Sequence, residues 1–450
     1  MYKDLRYIQT LFIHLLLGFI IYQLKFLSLV YGLLVLFFGI FWIWQNRNQN
    51  EEALLVCAYF MGMEVFLRMT KGAVNHEFVK YSIMLLLLFG MFFKGFSKNA
   101  IPYWIFILIL IPGLIQGLIL LSGHERLRQT LMFNISGPLC LAISSLYCYN
   151  RKINFNKLLK VFYFAGMPIV SCAIYLLLYV PDLKDVITGT GSNFSTSGGF
   201  GPNQVATILG LGLFLFFSRA LFASPTRLQF FINIGISLFL TYRALLTFSR
   251  GGLITGLFMV VLLISVVLFR GNSSVRLKVS SFVILVFGGL LFVWLYTVLM
   301  TGGLIEKRYS NQDALGREKE SVLTGREEVA LTEINLFLEK PIFGGGVGSG
   351  FVYRKEYLDI TMASHNEITR MLGEHGLFGI IGLLLLIFTP LILYLDNKNH
   401  FFLLCLLAFW FLTLNHAAMR TAAPAFVYAL TLLKIQLDDQ TIVPWKRLFK

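Results

Sequence analysis

Residues 246–252 read LTFSRGG and separate two apolar stretches, at 226–245 and 251–269, each long enough to cross a lipid bilayer. The run puts Arg250 where one predicted span ends and the next begins, and Arg243 lies about two helical turns before it. A guanidinium near the hydrocarbon core costs roughly 3 kcal/mol on insertion scales. Two arginines in such a place therefore indicate that positive charge is needed at the membrane, as it would be for an anionic ligand.

The composition of the whole chain extends this prediction. The 450 residues are 57% hydrophobic and only 14% charged, whereas soluble domains carry about 25% charged residues. The apolar residues also come in long blocks of membrane-spanning length. We therefore predict an all-α, polytopic integral membrane protein with about 12–14 transmembrane helices.

The positions of the predicted spans follow from these blocks. They lie at 7–24, 26–45, 52–69, 78–95, 101–121, 130–149, 157–180, 202–222, 226–245, 251–269, 278–300, 372–395, 400–416 and 420–436. One or two of the shorter ones could be re-entrant or merged. We expect the whole chain, 1–450, to form a single membrane domain, with 301–366 as one large loop that carries short helices.

The basic residues predict the orientation, because lysine and arginine favour the cytoplasmic side of a membrane. With the N-terminus in the cytoplasm, most basic clusters lie inside: Lys94, Lys98, Arg151, Lys152, Lys157, Lys160, Arg219, Arg227, Arg270, Arg276, Lys278, Lys446, Arg447 and Lys450. The net charge of +15 is then a topology signal, and we expect membrane lipids rather than nucleic acid as partners. Arg243, Arg250 and the large loop fall on the outer side.

The large loop itself shows three sequence features. Its first part, 306–321, is charged and poor in large apolar residues, which predicts a mobile stretch. Thr324 and Glu327 match a capping box, which predicts a helix that stops before Pro341. The glycine run at 344–350 predicts a tight turn, since it lacks the Gly-Lys-Ser/Thr ending of a phosphate-binding loop and has no strand before it.

Two residues of this loop are candidates for chemistry. Arg326 lies in the first turn of the predicted helix, where backbone amides and the helix dipole favour anions, although it could instead pair with Glu327. His365 lies where the loop re-enters the membrane and can act as a general base, although a lone histidine there is often a hydrogen-bonded interface residue.

Three further polar residues are candidate substrate-binding groups. Asn366, Arg370 and Glu374 recur every four residues on one helical face, so Arg370 and Glu374 can also form a structural pair. Arg420 belongs, with His416, to another polar patch on the outer side. Asn366, Arg370 and Arg420 therefore join Arg243 as possible contacts of a substrate.

No metal site is expected from the sequence. His365 and Glu367 are too few ligands, because a metal needs three or four at workable spacing. The five cysteines lie in or at the edges of predicted spans without metal spacing, which is typical of packing residues.

Three motifs in order resemble the bacterial O-antigen ligase and O-antigen polymerase superfamily, over roughly residues 199–395. The first is Ser249-Arg250-Gly251-Gly252, at the outer end of a span. The second is Thr324-Gly325-Arg326, followed by Glu339-Lys340-Pro341 and the glycine run. The third is His365-Asn366-Glu367, followed by Glu374-His375-Gly376-Leu377-Phe378-Gly379.

The resemblance implies an inner-membrane glycosyltransferase with its active site facing the periplasm. Such enzymes take a glycan from undecaprenyl diphosphate and pass it to a hydroxyl, on lipid A–core in the ligases or on another lipid-linked repeat unit in the polymerases. The family implies no metal and no cofactor. By resemblance, Arg250 and Arg326 hold the diphosphate, His365 activates the acceptor, and Arg243 is a possible second phosphate contact.

Two alternatives stay open at this point. The polymerase reading shares its donor with the ligase reading, and the motifs do not separate them. A lipid-glycan flippase or transporter could also use buried arginines, but such proteins often show two similar halves or charges deep in several spans. Neither feature is visible here.

Overall fold

The computed structural model describes residues 2–123, 127–180, 182–183, 185–271, 273–319, 326–358 and 364–437. Its helices are Tyr2–Gln23 (α1), Leu27–Asn46 (α2), Glu52–Met69 (α3), Phe78–Lys94 (α4), Ile101–Leu120 (α5), Leu127–Cys148 (α6), Phe155–Tyr179 (α7), Pro202–Phe222 (α8), Arg227–Leu246 (α9), Arg250–Arg270 (α10), Ser273–Met300 (α11), Leu304–Tyr309 (α12), Arg326–Glu339 (α13), Ser349–Leu358 (α14), Glu367–Asp396 (α15), Leu403–Leu414 (α16) and Ala422–Leu430 (α17). Two short strands, Lys152–Asn154 (β1) and Lys434–Gln436 (β2), pair in parallel.

The predicted all-α, multi-pass membrane fold is confirmed. Ten helices among the described residues are long and apolar enough to cross a membrane. The agreement extends to helix ends, since α3 and α8 begin and end at the residues predicted from the apolar blocks. Helix α8 is buried along nearly its whole length and forms the centre of the bundle.

The last two predicted spans, 400–416 and 420–436, are shorter than expected. Helix α16 has 12 residues and α17 has 9, whereas a single crossing needs about 20. They form a hairpin around the turn at 415–421, and α17 is wholly buried against α6 and α16. The turn contains the break at 417–419 that the predicted spans leave between them, so its position agrees with the prediction and only the helix lengths differ.

Consecutive spans joined by short loops must alternate in direction, which defines two faces. We call the face at which α1 begins the N-terminal face, and the face that carries residues 301–366 the loop face. The start of α10 and the turn at 415–421 both lie at the loop face, as the contacts described below show. β1 and β2 lie at the N-terminal face, next to the start of α7.

Residues 306–319 of the stretch predicted to be mobile are folded, whereas 320–321 lie outside the described residues. Helix α12 covers the start of this stretch, and the chain then turns back so that Gln312 and Glu318 form a β-bridge. Asp313 closes this turn by accepting hydrogen bonds from the backbone and side chain of Arg317. Of the predicted capping box, Thr324 lies outside the described residues, and α13 begins at Arg326.

The glycine run at 344–350 packs against a break in α15. Gly376 has φ 61° and ψ −137°, which interrupts the helix. The amide of Leu377 donates instead to the carbonyl oxygen of Pro341, at 2.8 Å. A side chain on Gly376 would meet that oxygen at 2.5 Å, and one on Gly344 would meet the backbone of Glu374 at the same distance. These glycines let two backbones touch where the loop meets the span.

Helices α8 and α10 also touch backbone to backbone through glycine. A Cβ on Gly252 would lie 2.2 Å from the carbonyl carbon of Ala206, and a Cβ on Gly256 would lie 2.3 Å from the carbonyl oxygen of Gly210. Small residues spaced by four along α10 therefore permit this close crossing, as in small-xxx-small packing of membrane helices.

We predict that Gly252→Ala destabilises the protein by about 1–3 kcal/mol, because the added methyl forces α8 and α10 apart. Thermal or denaturant unfolding of the detergent-solubilised protein measures the effect. Gly288→Ala in α11 is the matched control, since a Cβ there meets nothing within 4 Å. Equal stability of the two variants would show that the α8–α10 contact is not tight.

Candidate active site

The start of α10 is fixed at the loop face by contacts on both sides of Arg250. Ser249 donates a hydrogen bond to the side chain of Asn203 at 2.8 Å. Gly251 packs so closely on His416 that a Cβ would lie 2.6 Å from the imidazole ring. Arg250 itself is the first residue of α10, where the helix dipole adds partial positive charge.

Arg250 is one of three cations that converge at this point. Its guanidinium reaches the carbonyl oxygen of Arg308 at 3.5 Å, and Arg308 in turn donates to the carbonyl oxygen of Phe248 at 3.0 Å. Lys319 is the third cation and donates to the hydroxyl of Thr190 at 2.8 Å. We call Arg250, Arg308 and Lys319 the cation cluster.

The positive charges of Arg308 and Arg250 lie close enough to Lys319 to affect its pKa. Burial lowers the pKa of Lys319, and the positive charges of Arg308 and Arg250 lower it further, against a smaller opposing effect of Asp313. A neighbouring cation makes protonation less favourable, whereas a bound anion would reverse the effect. The cation cluster is therefore a place where an anion would be stabilised.

His365 lies on the other side of the site and is partly exposed. Its neighbour Ser364 donates to the carboxylate of Glu333 at 3.1 Å, while the carbonyl oxygen of Ser364 accepts from Arg420 at 2.5 Å. Asn366 caps α15, because its side-chain oxygen accepts from the amides of the second and third residues of the helix. The backbone of His365 is thus held from both sides.

Glu333 on α13 is the buried acid behind this segment. Its carboxylate also accepts from Arg354, at 3.0 Å, and from Thr369, at 2.7 Å. Burial raises the pKa of Glu333, and the hydrogen bonds from Thr369 and Ser364 and the charge of Arg354 offset part of this rise. Glu333 therefore links α13 to α14 through Arg354 and to the start of α15 through Thr369, next to the segment that carries His365.

Arg370 is held between two acids of its own helix. Its guanidinium pairs with Glu367, and with Glu374 at 2.9 Å, so the predicted Arg370–Glu374 pair is present. Glu367 also accepts from the amide of Met419, and Glu374 from the amide of Gly348 at 2.9 Å. The buried trio therefore fastens α15 to the turn at 415–421 and to the glycine run.

The turn at 415–421 joins the two halves of the site. At one end, His416 contacts the hydroxyl of Thr207 at 3.1 Å and packs on Gly251, beside Arg250. At the other end, Arg420 contacts the segment of His365 through Ser364. Arg250 and His365 consequently lie on either side of one short turn.

Two paired residues of α3 hydrogen-bond to the turn at 415–421. Arg68 donates to the carbonyl oxygen of Arg420 at 3.1 Å, and Glu64 accepts from the amide of Ala422 at 2.6 Å. Arg68 and Glu64 also bind each other at 2.6 Å. Nothing in the sequence around α3 pointed to this role, because the partners lie more than 350 residues apart.

The amides of residues 344–349 in the glycine run are hydrogen-bonded within the protein. The amides of Gly345 and Gly346 donate to carbonyl oxygens of α15, and the amide of Val347 donates to Gly113 of α5. The amide of Gly348 binds the carboxylate of Glu374. The structural turn predicted from the sequence agrees with these contacts.

The remaining predicted residues lie elsewhere or are only partly described. Arg243 is buried between α9 and α7, where it donates to the carbonyl oxygen of Leu176 at 2.9 Å. Arg326 begins α13, and its side chain lies outside the described residues. Arg326 lies seven residues before Glu333 on the same helix, which corresponds to about 10 Å along the helix axis. Within the described ranges, no group of three or more His, Cys, Asp or Glu residues could hold a metal ion.

Sequence reasoning missed Arg308, Lys319 and Glu333 as site residues. Arg308 and Lys319 stand in the charged stretch that composition predicts to be mobile, and they meet Arg250 only through the fold. Glu333 occurs as an ordinary polar residue on the helix predicted to stop before Pro341. Its burial, at 2% exposure, is visible only in the structure.

The assembled site joins a concentration of positive charge to a partly exposed histidine across one turn. Guanidinium and ammonium groups suit an anion such as a phosphate ester, and an imidazole can accept a proton from a hydroxyl. This combination fits the transfer of a group away from a phosphate-bearing donor.

Residues 235–384 match the family model described as O-antigen ligase. No curated protein and no solved structure matches the chain. The matched region runs from the middle of α9 to the middle of α15, so it contains Arg250, the large loop and His365. Residues 235–384, one third of the chain, are therefore similar to the O-antigen ligase family.

Proposed function

We propose that the protein is a glycosyltransferase that moves a glycan from undecaprenyl diphosphate to a hydroxyl group of lipid A–core. The family of residues 235–384 supports ligase- or polymerase-type chemistry. The cation cluster beside the start of α10 is the observation that carries the choice of a diphosphate donor. The distribution of lysine and arginine supports a periplasmic loop face in the inner membrane.

The cation cluster would act on the leaving group. As the bond between the anomeric carbon and the phosphate oxygen breaks, its electron pair stays on the diphosphate, where negative charge grows. Arg250, Arg308 and Lys319 would stabilise that charge more strongly in the transition state than in the bound donor. Arg326 would add a second guanidinium, a role that rests on its match to the family motif.

His365 would act on the acceptor. Its imidazole would take the proton of the incoming hydroxyl while the oxygen attacks the anomeric carbon. A single displacement of this kind inverts the configuration at that carbon. Glu333 and Arg420 would position His365 through their contacts with Ser364.

Three residues predicted to bind substrate, Asn366, Arg370 and Arg243, would instead have structural roles. Asn366 caps α15 and Arg370 is paired with two acids, so both would shape the site rather than grip the ligand. Arg243 would support the α7–α9 interface below the cation cluster. Arg420 contacts the backbone of the His365 segment and is partly exposed, so it would remain a candidate substrate contact.

We predict that His365→Ala lowers the transfer rate by about 100-fold or more, as expected for loss of a general base. The measurement is glycan transfer by the purified protein from a lipid-linked donor to lipid A–core. The unfolding temperature should stay near that of the wild type. His76→Ala is the matched control, because the His76 side chain is 55% exposed and lies in the loop after α3. Normal transfer by His365→Ala would exclude the general base.

We predict that Arg308→Ala lowers kcat/KM for the lipid-linked donor by roughly 10–100-fold, since charge-assisted hydrogen bonds contribute about 1.5–3 kcal/mol each. Arg317→Ala provides the comparison. Arg317 lies nine residues away in the same folded stretch, but it is exposed and paired with Asp313. Equal effects of the two substitutions would mean that the cation cluster does not contact the donor.

The glycan profile of a strain lacking the gene separates ligase from polymerase. We expect lipid A–core without any attached polymer, together with long glycan chains that accumulate on the carrier lipid. Gel electrophoresis of lipopolysaccharide and of the lipid-linked fraction measures both. Core that carries a single repeat unit would instead identify a polymerase, which uses the same donor.

A further inference from the structure

A second group of cations lies at the N-terminal face, far from the candidate active site. Arg6 of α1, Lys160 of α7 and Arg219 of α8 line a cavity of about 510 Å³. We infer that this cavity holds the headgroup of an anionic phospholipid whose acyl chain lies along the adjoining surface of α1, α7 and α9. The inference is independent of the proposed reaction.

Arg219 is the strongest sign that the cavity binds an anion. It is only 7% exposed, and its guanidinium lies over the rings of Tyr163, at 4.7 Å, and Tyr7, at 5.5 Å. One terminal nitrogen reaches the carbonyl oxygen of Leu159 at 3.4 Å, and Nε has no hydrogen-bond partner. Across the described part of the chain, no carboxylate pairs with Arg219. The buried Nε–H group of Arg219 therefore lacks a hydrogen-bond acceptor, which an anionic ligand would supply.

The nearest acid of α1 is already engaged elsewhere. The carboxylate of Asp4 accepts hydrogen bonds from Thr226, at 2.7 Å, and from the side chain of Gln229, at 2.8 Å. These contacts fasten α1 to the start of α9. Asp4 does not line the cavity, whereas Arg6, Lys160 and Arg219 do. An anionic group therefore fits it better than a cationic or neutral one.

An apolar groove continues the cavity toward the middle of the membrane. A second cavity, of about 350 Å³, is lined by side chains such as Leu11 and Leu15 of α1, Ile174 of α7 and Phe239 of α9. On α1, the cationic lining ends at Thr10 and the apolar lining begins at Leu11. The two cavities thus follow one another along the same helices, as a phosphate headgroup and an acyl chain do.

A phospholipid is the occupant that matches both parts. A free phosphate would fill the cationic cavity but leave the apolar groove empty. A neutral lipid would fill the groove but would give Arg219 no anionic acceptor. The N-terminal face is the one that we predict to be cytoplasmic, and cytoplasmic leaflets carry anionic lipids that attract lysine and arginine. Phosphatidylglycerol is a suitable probe.

The test measures lipid binding to the full-length protein in mild detergent by native mass spectrometry, with phosphatidylglycerol and phosphatidylcholine as competing probes. We expect the wild type to prefer phosphatidylglycerol. Arg6→Gln with Lys160→Gln should reduce that preference by roughly 5-fold for each cation removed. The matched double variant is Lys98→Gln with Lys434→Gln, which removes two exposed cations from the same face outside the cavity and should change nothing. Arg219→Gln should reduce the preference as well.

Gly235→Leu tests the acyl groove separately. Gly235 lines the groove, and a Cβ there meets nothing within 4 Å, so the new side chain would fill the groove without disturbing the fold. Phosphatidylglycerol binding should fall several-fold, whereas Gly288→Leu, at an equally open position of α11, should leave it unchanged. No preference for phosphatidylglycerol in the wild type would overturn the inference. Full binding by Gly235→Leu, with displacement by inorganic phosphate, would also overturn it, in favour of a free anion.

Discussion

An ionised side chain within an apolar bundle must be neutralised by a partner or used for a ligand, because uncompensated charge in hydrocarbon is costly. This constraint explains how the buried charged residues of the protein are paired. Arg370 is enclosed by Glu367 and Glu374, and Arg68 is paired with Glu64, so these cations serve the fold. The cation cluster brings like charges together, since the positive charges of Arg308 and Arg250 lower the pKa of Lys319. We propose that this arrangement serves an anionic ligand.

Glycine-mediated contacts give the site its geometry. Gly252 lets α10 lie directly on α8, and the adjacent Gly251 admits the ring of His416, so that Arg250 is presented at a defined position. On the opposite side, Gly376 breaks α15 where the glycine run crosses it. The glycine-containing motifs therefore have a structural explanation, because they bring backbones into contact around the site.

Features that depend on the local pattern of residues could be predicted from the sequence. Span lengths follow from apolar blocks, and the Arg370–Glu374 pair follows from helical spacing. The turn between α16 and α17 falls where the predicted spans leave a break, but the short lengths of the two helices were not predicted. Arg308 and Lys319 were missed since their approach to Arg250 depends on the fold of a stretch that composition describes only as charged. The spacing of Gly252 and Gly256 is a small-xxx-small signal from which the α8–α10 contact could have been predicted.

We propose that the cation cluster binds the diphosphate of the donor and that His365 accepts the proton of the acceptor hydroxyl in the same reaction. The most direct measurement is a cryo-electron microscopy structure of the full-length protein with an undecaprenyl-diphosphate-linked glycan bound. The account predicts density for the diphosphate between Arg250, Arg308 and Lys319, with the first sugar directed toward His365. Diphosphate density away from these three side chains would contradict it.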